Sequence, residues 1–216
     1  MKKIVIIGAG KYSTVVIDII LKRKKELNEE LEIVGLLDDG YDEKNKKEVM
    51  GFPIIGKFDD VKKISNKEYE YIISVGDVNS RKKIAEKFNN LKYYTLIHPS
   101  AQIAHEVEIG EGTIIGEQAV LKSYLKVGKH CILNTNSVSS HHCNVGDYTH
   151  ISVGSILCGS VTVDKRCFIG AGSTVIPNIK IAENVTVGAG AVVIKDVEAN
   201  NVVVGNPAKK IKTKGE

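Results

Sequence analysis

The stretch VGKHCILNTNSVSSHHCNVGDYTHISVGSI, residues 127–156, decides the fold. Cut every six residues, it reads VGKHCI, LNTNSV, SSHHCN, VGDYTH, ISVGSI. The same frame runs from Ile103 to Glu198 as sixteen hexads without an insertion. Ile, Leu or Val opens fifteen of them, and the fifth residue is always small or apolar. Gly, Asn or Asp holds the fourth place in eight, and these residues tolerate positive φ at a tight turn. Two inward positions in six fit neither an α-helical period nor simple strand alternation. They fit a parallel β-helix with one short strand and one bend per hexad. Three hexads make one triangular coil, so sixteen wind a little over five, each covering the apolar face of the next. Cys131, Cys143 and Cys167 fall at fifth positions and are predicted to be small buried hydrophobes. Cys158 falls at a second position and is less constrained.

Outward from the ladder, the N-terminal half has another rhythm. KIVIIG (3–8) is predicted to be a buried strand, GAGKYS (8–13) a turn, and TVVIDIILKRKKEL (14–27) a helix. LEIVGLLDD, YEYIISVG and YYTLIHPS are predicted as further strands, with the amphipathic NSRKKIAEKFNNL before the last. Strands alternating with helices imply a small doubly wound parallel sheet. Pro99 and Ser100 break that pattern. The chain therefore divides into a Rossmann-like α/β domain, 1–98, and an all-β domain, 99–216.

Bulk properties narrow the function. The chain has 216 residues, net charge +4 and 43% hydrophobic residues, the profile of a globular protein with room for two cores. Its longest early apolar run, IVII, is too short for a membrane span or an export signal, so a cytoplasmic location is expected. The lysines are spread along the chain, with a short cluster at Lys44, Lys46 and Lys47 and a basic tail. No aromatic-basic motif accompanies them, so nucleic acid is not an expected partner. The four cysteines include no C-x-x-C pair, which argues against a zinc ribbon.

Two places carry chemistry. Strand, then Gly8-Ala9-Gly10, then helix, is a phosphate cradle, in which backbone N–H groups and the helix N-terminus favour an anion. Lys11 is placed to meet a phosphate, and Asp38 and Asp39 end the second strand, where such folds contact a ribose or base. The dinucleotide fingerprint is incomplete, because Ser13 stands where the third glycine belongs. Bound NAD with hydride transfer is one reading of this turn. A nucleotide-sugar site fits the two halves better, one domain holding the nucleotide while the other performs a transfer. The second place is SSHHCN, the one hexad without an aliphatic first residue. Ser139 interrupts the ladder and the adjacent His141 and His142 follow it, and a local rule broken once marks a candidate site.

LNTNSVSSHHCNVGDYTHISVGSILCGSV with VVVGNPAKKIK, together with the N-terminal IIGAG, resembles the hexapeptide-repeat sugar acetyltransferases of the PglD/NeuD-like subfamily. That resemblance implies a left-handed β-helix and acetyl-CoA as co-substrate. It also implies a homotrimer with CoA held between neighbouring β-helices. It makes His141 the general base, puts His150 against the acetyl thioester and Asn134 near the acceptor sugar. Gly159, Ala171, Gly172, Ala189 and Gly190 would line the pantetheine channel, and GNPAK, with Pro207, would close over CoA. No metal is required. The expected reaction is N-acetylation of a nucleotide-linked amino sugar for bacterial glycan synthesis, with O-acetylation of a sialic-acid-like sugar as the alternative. Two departures stand out. His142 occupies the place of the carboxylate that follows the family's histidine, leaving Asp147 or His142 to orient the base. The glycine turn reads Gly8-Ala9-Gly10-Lys11-Tyr12-Ser13 where the family has Gly-Ala-Gly-Gly-His-Gly. A zinc hydrase on the same scaffold and a non-catalytic nucleotide-sugar sensor are more distant readings.

Overall fold

The computed structural model describes residues 1–44, 47–64 and 68–215. Lys46 of the predicted lysine cluster lies outside them. The chain forms two compact units, Met1–Pro99 and Ser100–Glu216.

The first unit is an α/β domain. Its elements are β1 (Lys2–Ile7), α1 (Tyr12–Glu26), β2 (Leu31–Leu37), β3 (Glu48–Val49), β4 (Phe52–Gly56), α2 (Val61–Ile64), β5 (Tyr69–Ile73) and α3 (Val78–Lys87). The sheet order is β3-β4-β2-β1-β5, parallel except for the β3–β4 hairpin at one edge. Ile4 to Ile7 are fully buried, as a central parallel strand covered on both faces requires. One prediction needs correction, and one strand was not foreseen. YYTLIHPS is not a strand of this sheet: Tyr93 makes one parallel bridge to Tyr71, and Leu96–Ile97 is a separate two-residue strand. The place beside β2 is taken by β4, whose sequence FPIIG has a proline as its second residue and carries no strand alternation. α3 begins at Asp77, whose carboxylate accepts the Ser80 N–H at 2.7 Å.

The second unit is the parallel β-helix. Two-residue strands stack in three faces with partners eighteen residues apart, as in the run Val120, Val138, Ile156, Thr174, Val192. That spacing is three hexads per coil. The first hexad residue points inward, and from Ile115 to Val193 every one is buried, Ser139 included. The fifth residue is buried from Thr113 onward. Cys131, Cys143 and Cys167 are among these. The fourth residue has φ between 51° and 69° in fifteen of the sixteen hexads, Asp196 being the exception. The bend imposes this conformation on Glu106, Gln118, Tyr124, Tyr148, Ser160 and Arg166, none of which favours it, and on His130 and His142, which tolerate it better. Each such residue costs conformational energy that the ladder hydrogen bonds and the stacked core offset. A final hairpin joins Asn201–Val204 to Lys209–Thr213 and extends one face.

Candidate active site

His141 and His142 lie on the bend between the strands Val138–Ser139 and Asn144–Val145. The coil period puts Ser123 and Gly159 one coil before and after His141, and Tyr124 and Ser160 one coil before and after His142. Backbone bonds fix the stack: His142 N–H donates to the Ser123 carbonyl at 3.1 Å and Ser160 N–H to the His141 carbonyl at 2.9 Å. The two imidazoles meet through Nδ1···Nδ1 at 3.2 Å. Their planes are nearly perpendicular, at 83°. The His142 ring stacks on Tyr124, with centroids 5.0 Å apart and 28° between planes.

Gly159 gives the His141 ring its room. A Cβ there would stand 2.7 Å from Cε1 and 2.9 Å from Nε2 of His141. Its backbone φ is ordinary, so the requirement for glycine comes from the ring and not from the turn. Ser139 is fully buried between Leu121 and Leu157, and its Oγ has no hydrogen-bond partner among the described residues. Asp147 lies on the following bend, where its Oδ1 accepts the Lys129 N–H at 2.8 Å. Of the two groups expected to orient His141, the structure puts His142 against it.

The remaining β-helix candidates gather elsewhere, half a coil from His141. His150 opens the strand His150–Ile151, is nearly buried, and meets Phe168 edge-on with centroids 5.2 Å apart. Its Nε2 is 3.4 Å from Asn134 Nδ2, which can only donate, so Nε2 accepts there. Asn134 Oδ1 in turn accepts the Thr135 N–H at 2.8 Å. Ala171, Gly172, Ala189 and Gly190 stack on the corner that follows this face, with Gly172 N–H bonded to the Val153 carbonyl and Gly190 N–H to that of Ala171. A Cβ on Gly172 or Gly190 would meet nothing within 4 Å, so this corner is open. The turn bearing Pro207 is stitched to the same edge: Val192 N–H donates to the Gly205 carbonyl at 3.0 Å and Ala208 N–H to the Val192 carbonyl at 2.8 Å.

In the α/β unit, Gly8 has φ +107° and packs on Ser74 and Val75, while Gly10 and Lys11 face solvent. Ser13, in place of a third glycine, is buried and its Oγ donates to the Gly10 carbonyl at 2.7 Å. Asp38 accepts the Ala9 N–H at 2.8 Å through one oxygen and the Gly40 N–H at 2.9 Å through the other. The turn therefore already presents an N–H to one anion, a carboxylate of the chain itself. Asp39 accepts the Phe58 N–H at 3.2 Å. Sequence reasoning missed Arg81, which is buried and donates to the Val75 and Gly76 carbonyls just beyond β5. Burial holds the neighbouring Tyr12 phenol well above its ordinary range, against the opposing pull of the Arg81 charge. Tyr124 was missed as well, though stepping back one eighteen-residue coil from His142 finds it.

Cys143 and Cys167 are buried and are not nucleophile candidates. Burial raises the Cys143 thiol and pushes that of Cys167 up to about 12. Among the described residues no three His, Cys, Asp or Glu side chains converge as metal ligands. No described helix is long and apolar enough to cross a membrane.

Comparison with known proteins places both units. Residues 3–88 match the PglD N-terminal domain, and residues 94–123 and 160–195 match the bacterial transferase hexapeptide repeats. The UDP-N-acetylbacillosamine N-acetyltransferase of Bacillus subtilis is 32% identical over 119 residues, 53% of this chain and 51% of that protein. The chain thus spans about half the length of that curated relative. The acetyltransferase domain of PglB from Neisseria gonorrhoeae, solved with acetyl coenzyme A, superposes with a TM-score of 0.87 at 29% identity over 97% of this chain and 99% of that one. PerB from Caulobacter crescentus, solved with CoA and GDP-perosamine, superposes with a TM-score of 0.86 at 28% identity, covering 98% of each chain. The chain thus joins a PglD N-terminal domain to bacterial transferase hexapeptide repeats, the pairing its two family matches show.

Proposed function

We propose that the protein is an acetyl-CoA-dependent N-acetyltransferase acting on a nucleotide-linked amino sugar. The observation that carries this reading is an imidazole pair at the one break in the aliphatic ladder, with the His141 Nε2 edge over Gly159 and open to solvent. The names of the related proteins support it: they are N-acetyltransferases, one solved with CoA and an amino-sugar nucleotide. They favour an amine over a hydroxyl acceptor.

The chemistry follows from the groups present. The neutral amine attacks the thioester carbonyl. His141 Nε2 takes the proton the nitrogen loses, since an imidazole accepts a proton readily near neutral pH. The tetrahedral oxyanion collapses, the C–S bond breaks, and the imidazolium returns its proton to the departing thiolate. The products are the amide and free CoA. His150 and Asn134 would face the thioester and the acceptor, with Ala171, Gly172, Ala189, Gly190 and Pro207 along the pantetheine arm. His141 and His150 lie half a coil apart in one chain. A homotrimer, in which the His141 bend of one copy meets the His150 corner of the next, completes the site. In the α/β domain Gly8, Gly10, Lys11, Asp38 and Asp39 would hold the nucleotide. Acetyl-CoA as co-substrate is consistent with a cytoplasmic reaction.

The test is thiol release from acetyl-CoA against a panel of UDP-, GDP- and dTDP-linked amino and hydroxyl sugars. Turnover is expected with a 4-amino sugar. Replacing His141→Ala is expected to lower kcat by about 10²–10⁴-fold with the thermal transition unchanged. Undiminished turnover in that variant removes His141 from the mechanism.

A further inference from the structure

We infer that His142, braced by Tyr124, is the positioning residue that holds the Nδ1 proton of His141, so that the base is worked by two imidazoles with no carboxylate. The inference rests on the reading of His141 as the base and adds how its tautomer is set.

The Nδ1···Nδ1 separation of 3.2 Å is a hydrogen bond only when one of the two nitrogens carries a proton and the other does not. If His141 donates, its proton sits on Nδ1 and Nε2 keeps a lone pair. If His142 donates, His141 carries its proton on Nε2 and is no longer a base. The productive state therefore has His142 neutral, with Nδ1 accepting. When His141 takes a proton from the amine, the bond becomes charge-assisted and strengthens as the reaction proceeds. That is the service a carboxylate usually gives, here rendered by a neutral acceptor.

No carboxylate of the stacked hexads competes for the role. The hexad of the pair, SSHHCN, and the two stacked on it, LKSYLK (121–126) and LCGSVT (157–162), contain no Asp or Glu. The other ionisable side chains of these hexads are Lys122, Tyr124, Lys126, Cys143 and Cys158, and none of them is a carboxylate. Tyr124 is 55% exposed, so apolar burial does not account for its ring. It lies flat under His142 and limits rotation of the acceptor away from His141. A second stack of the same period, His130 on Tyr148, belongs to another corner, and its histidine is buried. The His142 ring is exposed and bonded to His141.

A pair of imidazoles leaves a signature that a carboxylate does not. One proton on either ring stops the reaction: on His141 it occupies the base, and on His142 it forces the wrong tautomer. Three variants with the nucleotide 4-amino sugar turned over by the wild type test this. His142→Phe keeps a ring to stack on Tyr124 but has no acceptor; kcat is expected to fall at least about tenfold with KM unchanged. His142→Glu restores an acceptor and adds a charge; kcat is expected to recover over His142→Phe. The acidic limb of its kcat–pH profile is expected to move up by about one pH unit, because a carboxylate favours the imidazolium. Tyr124→Ala is expected to lower kcat by a smaller factor than His142→Phe. Long-range proton–nitrogen NMR of the ligand-free protein reads the tautomers directly. A protonated Nδ1 on His141 and an unprotonated Nδ1 on His142 support the pair; the reverse overturns it. So does undiminished kcat in His142→Phe, or no gain in His142→Glu, while His141→Ala is inactive. Activity retained by His141→Ala overturns the base itself.

Discussion

Replacing Gly159→Ala separates the needs of the fold from those of the site. Residue 159 has no positive φ, so alanine is conformationally allowed and loses less entropy on folding, a gain of about 0.4–1 kcal/mol. Its Cβ would stand 2.7 Å from Cε1 of His141, and ordinary contact begins near 3.4 Å. The ring has to retreat by roughly 0.7 Å, the difference between those distances. His141 is exposed, so it can swing outward at little cost in stability. The bond to His142 and the aim of Nε2 do not survive that swing. A displacement of about 1 Å costs about 10²-fold in a positioned reaction, or about 2.7 kcal/mol of transition-state stabilisation. Steady-state thiol release and a thermal melt on one preparation make the assay. The expected result is kcat down by about one to two orders of magnitude with a melting temperature equal to or above wild type. Wild-type kcat in Gly159→Ala would refute the claim that this glycine sets the ring.

Other outcomes follow from the same geometry. Ser139→Val restores the aliphatic ladder and removes a buried hydroxyl without a partner; the β-helix should gain about 1–2 kcal/mol, visible in calorimetry as a higher transition temperature. Leu133→Ala, in the fully buried column, should cost about 2–5 kcal/mol in the same experiment. Asp77 is held below the ordinary carboxyl range mainly by its hydrogen bond from Ser80. Its contribution is therefore complete above about pH 4 and fades as pH falls through the lower folded value. Asp77→Asn, which still caps, should flatten that acid loss of α/β-domain stability in urea titrations across pH. Cys167, with its thiol pushed up to about 12, should resist aromatic disulfide reagents at pH 8 until the chain is unfolded.

The β-helix was legible because its information is periodic. Each coil repeats the same demand, an aliphatic residue first and a small one fifth, and sixteen repetitions leave no other architecture. The α/β domain was legible where strands were continuous and apolar, as in β1, and misread where a short edge element was chosen by tertiary pairing. FPIIG and YYTLIHPS look equally extended in isolation; only the space beside β2 decides that the first joins the sheet. At the site, the sequence pointed to Ser139, His141 and His142 because they break or follow the ladder. It left open whether Asp147 or His142 orients the base, since the hexad frame gives the bend each residue occupies but not the direction its side chain takes.

Sequence alone determined the hexad ladder, its eighteen-residue coil, the buried cysteines and the place where the ladder is interrupted, because these follow from local period and side-chain size. Tertiary stacking alone decided that His142 lies on Tyr124, that its Nδ1 meets that of His141, and that Gly159 has to lack a side chain. The physical reason is distance along the chain. Those partners are brought together by coil closure, and the ring contacts depend on ångström-scale geometry that no local preference encodes.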